Sequence, residues 1–201
     1  DNETISSQLP FAAVESYPDA ISPGEVLDAV VNIIQRHVVM TREQAVAAAL
    51  WIAMTWFIGV IQIAPLALIT APEKACGKSQ LLSIFSYLVA RALSAANSSA
   101  SFIFRAIEAW CPTILIDEAD TFFRQNDELK GLINAGHTRT NAFVGRTVSV
   151  GDGHEPKFFN VWGAKGIAGI EMEKHLSDAT LSRAIKITLR RKMQHETVSR
   201  L

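Results

Sequence analysis

Cysteine is scarce: Cys76 and Cys111 are the only two in 201 residues. They stand at no metal-ligand spacing and form no disulfide framework, so a zinc module and a disulfide scaffold are both excluded. The five histidines are too scattered for a metal site. Charge of one sign is missing as well. A formal net charge of −1 gives no global pull toward nucleic acid or a membrane surface. No internal repeat or low-complexity run is visible, which removes solenoids and compositional tails. An initiator Met and a signal-peptide pattern are also lacking, and Asp1 reads as the start of a piece of a longer protein.

What is present suits one ordinary globular domain with a substantial core: 49% of the residues are hydrophobic and 19% charged. The charges are unevenly spread. Acids dominate residues 1–40 (Asp1, Glu3, Glu15, Asp19, Glu25 and Asp28 against Arg36), and bases dominate 183–201 (Arg183, Lys186, Arg190, Arg191, Lys192 and Arg200 against Glu196). Such a basic end is ordinarily a solvated face, although it also suits a phosphate backbone.

From Ala45 to Pro72 no charged residue occurs, a run long enough to span a bilayer. Thr55, Gly59, Gln62 and Pro65 interrupt it, however, and proline breaks a continuous helix. A buried helix followed by a buried strand explains the same letters, so no membrane association is expected.

Residues 1–23 carry Pro10, Pro18 and Pro23 and read as a linker or extended arm. Residues 24–65 read as a helical lead-in. Ser22-Pro-Gly-Glu25 opens one helix, running to about Val38. Thr41-Arg-Glu-Gln44 is a capping box for a second, to about Ile58. Residues 66–201 then alternate strands and helices. Strands are expected at 66–70, 113–116 and 185–189, with a short strand or loop at 95–99, and helices at 77–93, 101–110 and 127–135. A hairpin over 142–162 turns at Gly151-Asp-Gly153, and its second arm is expected to rejoin the sheet. This alternation predicts a parallel α/β sheet with ligand at the carboxyl ends of the strands.

Two motifs converge on those ends. Pro72-Glu-Lys-Ala-Cys-Gly-Lys-Ser79 follows the first strand and opens a helix, as a phosphate-binding loop does. Gly77 lets main-chain N–H groups face an oxyanion, Lys78 supplies a point charge for β- and γ-phosphates, and Ser79 offers a hydroxyl to Mg²⁺. Pro72, Glu73, Lys74, Ala75, Cys76 and Gln80 complete the candidate loop. Pro72 stands where G-x-x-x-x-G-K-[ST] has its first glycine, so the loop begins differently and has one N–H fewer. Ile114-Leu-Ile-Asp-Glu118 supplies the second motif, with Asp117 for the metal's shell and Glu118 to orient or deprotonate water. The plainer reading is a chance Gly-Lys-Ser at a helix start with an ordinary acidic turn after a strand; the apolar strand before the loop, the helix after it and Ile114–Glu118 downstream favour a nucleotide site. A thiol inside such a loop, Cys76, calls for a reducing compartment, and the cytoplasm is expected.

ITAPEKACGKSQLL, AANSSASFIFRAIEAWCPTILIDEADTF, ELKGLINAGHTR, VWGAKGIAGI and LSDATLSRAIKITLRRK, in that order, resemble the P-loop ATPase domain of plasmid, prophage and integrative-element replication proteins. That domain is similar to AAA+ ATPases and superfamily-3 helicases, and such domains resemble one another in a proline-containing loop. The resemblance implies a three-layer P-loop NTPase of AAA+-like type. It would have an inserted β-hairpin and N-terminal helices, and no helical lid before Leu201. It implies ATP and Mg²⁺ as cofactors, with Lys78, Ser79, Asp117 and Glu118 in the roles above. Arg183 would be an arginine finger acting on a neighbouring subunit of a homo-oligomeric ring; the plainer reading is a surface arginine at a helix end. A sensor residue is expected at the end of a 157–164 strand, Lys165 first and Asn160 second. The hairpin, with His137, Arg139, Arg146, His154, Lys157 and Lys165 around it, would reach DNA in a central channel, against the plainer reading of a solvated hairpin. Three functions compete: a helicase-like ATPase motor for replicating a mobile element, a nucleotide-gated loader without unwinding, and a degenerate P-loop scaffold. The intact Lys78, Ser79, Asp117 and Glu118 argue against the last.

Overall fold

The computed structural model describes residues 10–95, 98–125, 127–151 and 153–201. Residues 1–9 of the expected N-terminal arm lie outside the described residues; 10–22 form neither helix nor strand, and Phe11 packs edge-on against Trp110 at 6.2 Å.

Helix α1 (Pro23–His37) starts on Ser22 and Pro23 as expected, although the Ser22 side chain makes no capping bond. Helix α2 (Arg42–Trp56) begins with the complete capping box: Thr41 Oγ1 accepts from the Gln44 amide at 3.3 Å, and Gln44 Oε1 accepts from the Thr41 amide at 3.0 Å. The uncharged segment does not form one helix. It divides into all but the first turn of α2, a turn, and strand β1 (Leu66–Ala71), with Pro65 at the strand's threshold. Among the described residues no helix is long and apolar enough to cross a membrane.

The remaining elements are α3 (Lys78–Leu88), β2 (Ala92–Ser94), α4 (Ala100–Trp110), β3 (Thr113–Ile116), α5 (Ala119–Gln125), α6 (Asp127–Ala135), β4 (Phe143–Val150), β5 (Gly153–Asn160), β6 (Lys165–Ile170), α7 (Asp178–Leu181) and β7 (Ala184–Thr188). Five strands form an all-parallel sheet in the order β2-β3-β6-β1-β7. Successive strand residues face opposite sides. Ala67, Ile69 and Ala71 of β1 therefore join α1, α2 and α3 in one core, while Leu66 and Leu68 join α4, α5, α6 and the hairpin in the other. Helices cover both faces, as a parallel sheet requires. The first core centres on Trp51, stacked on Phe85 at 5.0 Å with its indole N–H donating to the Pro65 carbonyl.

The expected return of the second hairpin arm to the sheet is overturned. β4 and β5 pair only with each other, antiparallel from Phe143↔Asn160 to Val150↔Gly153. The central strand is instead β6, whose Lys-Gly-Ile-Ala-Gly-Ile sequence has little strand propensity. Its small residues are there for packing. A Cβ on Gly166 would stand 3.0 Å from Leu115 and 3.2 Å from Trp51, and one on Gly169 would run into Met172 and Asp120. The short second strand lies at 92–94 rather than 95–99, and α3 stops at Leu88.

Candidate functional site

β1 is buried throughout and delivers the chain at Ala71 to a tight loop. Ala75 (φ 58°) and Gly77 (φ 86°) are both left-handed, while Cys76 between them is not. Alternation of hand turns successive N–H groups into one concavity that suits an anion. Holding a non-glycine residue such as Ala75 there costs about 1–2 kcal/mol. Gly77 caps α3 and its carbonyl accepts from the Leu81 amide, so the helix N-terminus adds its positive dipole end to the same place. Lys78 Nζ arches back over the loop and donates to the Glu73 carbonyl at 2.8 Å. Pro72, Glu73, Lys74, Ala75 and Ser79 are exposed, Gly77, Lys78 and Gln80 half-buried, and Cys76 buried, with its thiol toward the Lys74 carbonyl. A cleft of about 790 Å³, counted to its open mouth, adjoins the loop; His37–Val39, Gln80, Arg190, Lys192 and Val198–Arg200 form its other walls.

β3 is likewise buried and ends at the acids. Asp117 Oδ1 accepts from the Glu118 amide at 2.8 Å, and Glu118 is left-handed (φ 49°), a strained conformation for a side-chain-bearing residue. That turn throws the Glu118 carboxylate into solvent while its carbonyl accepts from Thr121 at the start of α5. β1 and β3 flank β6, in register Ala71↔Ile170 and Ile116↔Ile167. One interposed strand puts β1 and β3 about 10 Å apart. The loop and the acids thus stand at the same end of the sheet, on either side of β6.

The donors present fit a Mg²⁺–nucleotide pair. Among the described residues no group of three or more His, Cys, Asp or Glu could hold a metal by itself. Magnesium with a nucleotide needs no such group, because one or two protein oxygens plus phosphate oxygens suffice. Ser79 Oγ and the Asp117 carboxylate are oxygens of that kind.

Asp120 was not anticipated. Its Oδ1 accepts from the Ile170 amide at 3.1 Å, tying the acidic turn to the end of β6, and the close approach requires Gly169. The D-E-A-D spacing held the only signal. Nor was the brace at the end of β1 expected: Thr70 Oγ1 donates to Glu173, which pairs with Lys186 at 2.5 Å; burial alone would raise the Glu173 carboxyl, but the bonds from Lys186, the backbone and Thr70 outweigh it and hold the carboxyl below its usual range.

Both sensor assignments require correction. Lys165 is the first residue of β6, so it lies at the foot of the sheet, opposite the loop. Asn160 ends β5, outside the main sheet, and its Oδ1 accepts from the Trp162 amide at 2.9 Å. The β6 residues level with the end of β1 are Gly169 and Ile170. Arg183 also lies at the foot, immediately before β7, exposed and without an ion pair to a described acid. It is brought toward Lys165 and His137, not toward Lys78.

Lys165 is 4% exposed and donates to the carbonyls of Val161 (2.8 Å) and Gly163 (2.9 Å). Burial pushes its amine down to about 7. Unfolded, the amine has a pKa near 10.4. Between those values the unfolded chain holds the extra proton, so this residue makes stability rise with pH; below about 7 the cost of burying the ammonium is fully present. Lys165→Met should therefore gain most, relative to wild type, below pH 7 and least near pH 10. Urea unfolding across that range checks it, and parallel stability curves for the two proteins would contradict it.

No protein-family model matches the chain, and comparison with curated proteins finds no match either.

Proposed function

We propose that the protein is an ATP-binding and ATP-hydrolysing domain of the P-loop, AAA+-like kind, working as a homo-oligomer in the replication of a mobile genetic element. The observation that carries this reading is the placement of the 72–79 loop and the Asp117–Glu118 turn at one end of the parallel sheet, either side of β6. A lone Gly-Lys-Ser or a lone acidic strand end would carry little.

In this reading the loop amides and Lys78 hold the phosphates of ATP. Ser79 and Asp117 would hold a hydrated Mg²⁺, which when bound would supply charge neutralisation at the β- and γ-phosphates. Glu118, free in solvent, takes the proton of the attacking water or orients it. His37–Val39 and Gln80 wall the cleft beside the phosphates, where the rest of the nucleotide has room. Arg183 stands too far from its own loop to assist there, so its partner would be a nucleotide on a neighbouring subunit.

A helicase-like role draws on the hairpin. Arg146 lies over Phe104 at 4.7 Å and pairs with Glu128, while Lys157 lies over Phe159 at 4.6 Å and pairs with Glu108. Those cations hold the hairpin to α4 and α6. DNA contact would fall instead to His154 near the tip and to Phe158, 72% exposed and suited to base stacking.

The test is phosphate release from ATP by the purified protein. Release is expected with Mg²⁺ and should stop when the metal is chelated by EDTA. Failure to bind or hydrolyse any nucleoside triphosphate in Mg²⁺ would rule the reading out.

A further inference from the structure

The bases that the sequence concentrates after β7 gather at the cleft beside the 72–79 loop. Arg190, Lys192 and Arg200 wall it together with His37, and no carboxylate occurs among the described residues that do so. The segment that carries them is tied down at both ends. The Leu189 amide donates to the Thr70 carbonyl at 2.8 Å, and Arg191 stands 4.0 Å from the Glu73 carboxylate of the loop. At the far end the Ser199 amide donates to the Arg36 carbonyl at 2.9 Å, in the last turn of α1, where helix carbonyls lack an internal partner. The Ser199 carbonyl lies 3.0 Å from His37 Nδ1. The segment thus runs as a strap along the cleft, from the loop to the end of α1.

Between its anchors the strap supplies its own counter-ion. Glu196 receives the Arg190 guanidinium as a fork: Nη1 donates to Oε2 at 2.7 Å and Nη2 to Oε1 at 2.5 Å. Oε2 also accepts from the Met193 amide at 2.8 Å, and the Glu196 carbonyl accepts from Lys192 Nζ at 2.7 Å. One acidic residue occupies both cations. The bond from Arg190, then that from the Met193 amide, holds the Glu196 carboxyl down at about 2. Glu196 therefore stays ionised at any ordinary pH, and what can take Arg190 from it is another anion, not a proton. A guanidinium fork matches phosphate oxygens as well as it matches a carboxylate. A triphosphate also brings more negative charge than one carboxylate does.

We propose that residues 190–200 form an autoinhibitory strap on the nucleotide cleft, in which Glu196 competes with the phosphates of an entering nucleotide for Arg190 and Lys192. The proposal rests on the ATPase reading above and adds to it a device that sets nucleotide affinity. The strap acts without altering the 72–79 loop or the acids at the end of β3, so removing its carboxylate strengthens binding instead of weakening it.

Titration of the full chain with Mg²⁺ and inorganic tripolyphosphate, followed at the Met193 amide by NMR, tests the exchange. The probe should shift that resonance saturably in wild type, because the amide's acceptor is the carboxylate being displaced. Glu196→Gln should bind the probe at least about 3-fold more tightly, the scale of a half-exposed bidentate pair. That gain should vanish in an Arg190→Gln background, since the carboxylate acts through the guanidinium. Both residues lie on the irregular segment after β7, and Arg190 is exposed, so neither change disturbs the sheet. A Met193 amide that ignores the probe, or binding no tighter in Glu196→Gln, would overturn the strap. A gain that persists without Arg190 would overturn it too, reducing Glu196 to a general repulsive charge. Tripolyphosphate binding that follows this cycle, with no turnover of any nucleoside triphosphate, would sink the ATPase reading and keep the strap. ATP turnover with no response at Met193 would do the reverse.

Discussion

Glu118→Gln protein is expected to bind Mg²⁺-ATP as tightly as wild type and to release phosphate at least about 100-fold more slowly, the scale on which a positioned general base acts. The amide keeps the shape of the carboxylate but cannot take a proton. Glu118 is exposed at the end of β3 and its side chain braces nothing, so the fold should tolerate the change. Lys78→Ala should behave differently. It deletes the charge poised over the loop, 2.8 Å from the Glu73 carbonyl, and should weaken nucleotide binding as well as turnover. Fluorescent-nucleotide titration beside single-turnover phosphate release separates the two effects. Equal loss of binding in both variants would refute the separate roles.

Arg183→Ala is expected to leave nucleotide affinity nearly unchanged and to lower turnover about 1000-fold, the lower range for an arginine supplied across an interface. The guanidinium lies at the foot of the sheet, exposed, whereas the loop lies at the top. Its effect must then cross a subunit boundary. Mixing Arg183→Ala with Lys78→Ala protein should restore part of the activity, since each variant supplies the half-site the other lacks. Absence of rescue under conditions where mixed oligomers demonstrably form would remove the assignment and leave Arg183 a surface residue.

The elements that the sequence made legible share one property: their signals are local. Thr41 and Gln44 lie three residues apart, and their capping box needs only a helix turn. Thr113–Ile116 is a short apolar run bounded by Pro112 and Asp117, and it forms the strand expected of it. Gly77 takes the left-handed conformation that makes the Gly-Lys-Ser pattern meaningful. The candidate site on β1 and β3 was readable for the same reason, since each half is a contiguous motif.

β6 was not legible. Its glycines are set by what packs against them: Met172 three residues past Gly169, and Trp51, Leu115 and Asp120, which are distant in sequence. The more strand-like 157–162 run drew the assignment instead, and the sensor position moved with it to Lys165 and Asn160, neither of which reaches the loop. Asp120 was missed because its partner is a backbone amide fifty residues on.

By itself, then, the sequence determined the α/β alternation, the capped lead-in helices, and the two motifs at strand ends, because propensity, capping and turn chemistry act within a few residues. Only the tertiary structure decided the strand order, the seat of Lys165 and the grouping of Lys165 with His137 and Arg183. Those depend on which strands lie side by side, and pairing among parallel strands is settled by packing across the whole sheet rather than by any one segment's letters.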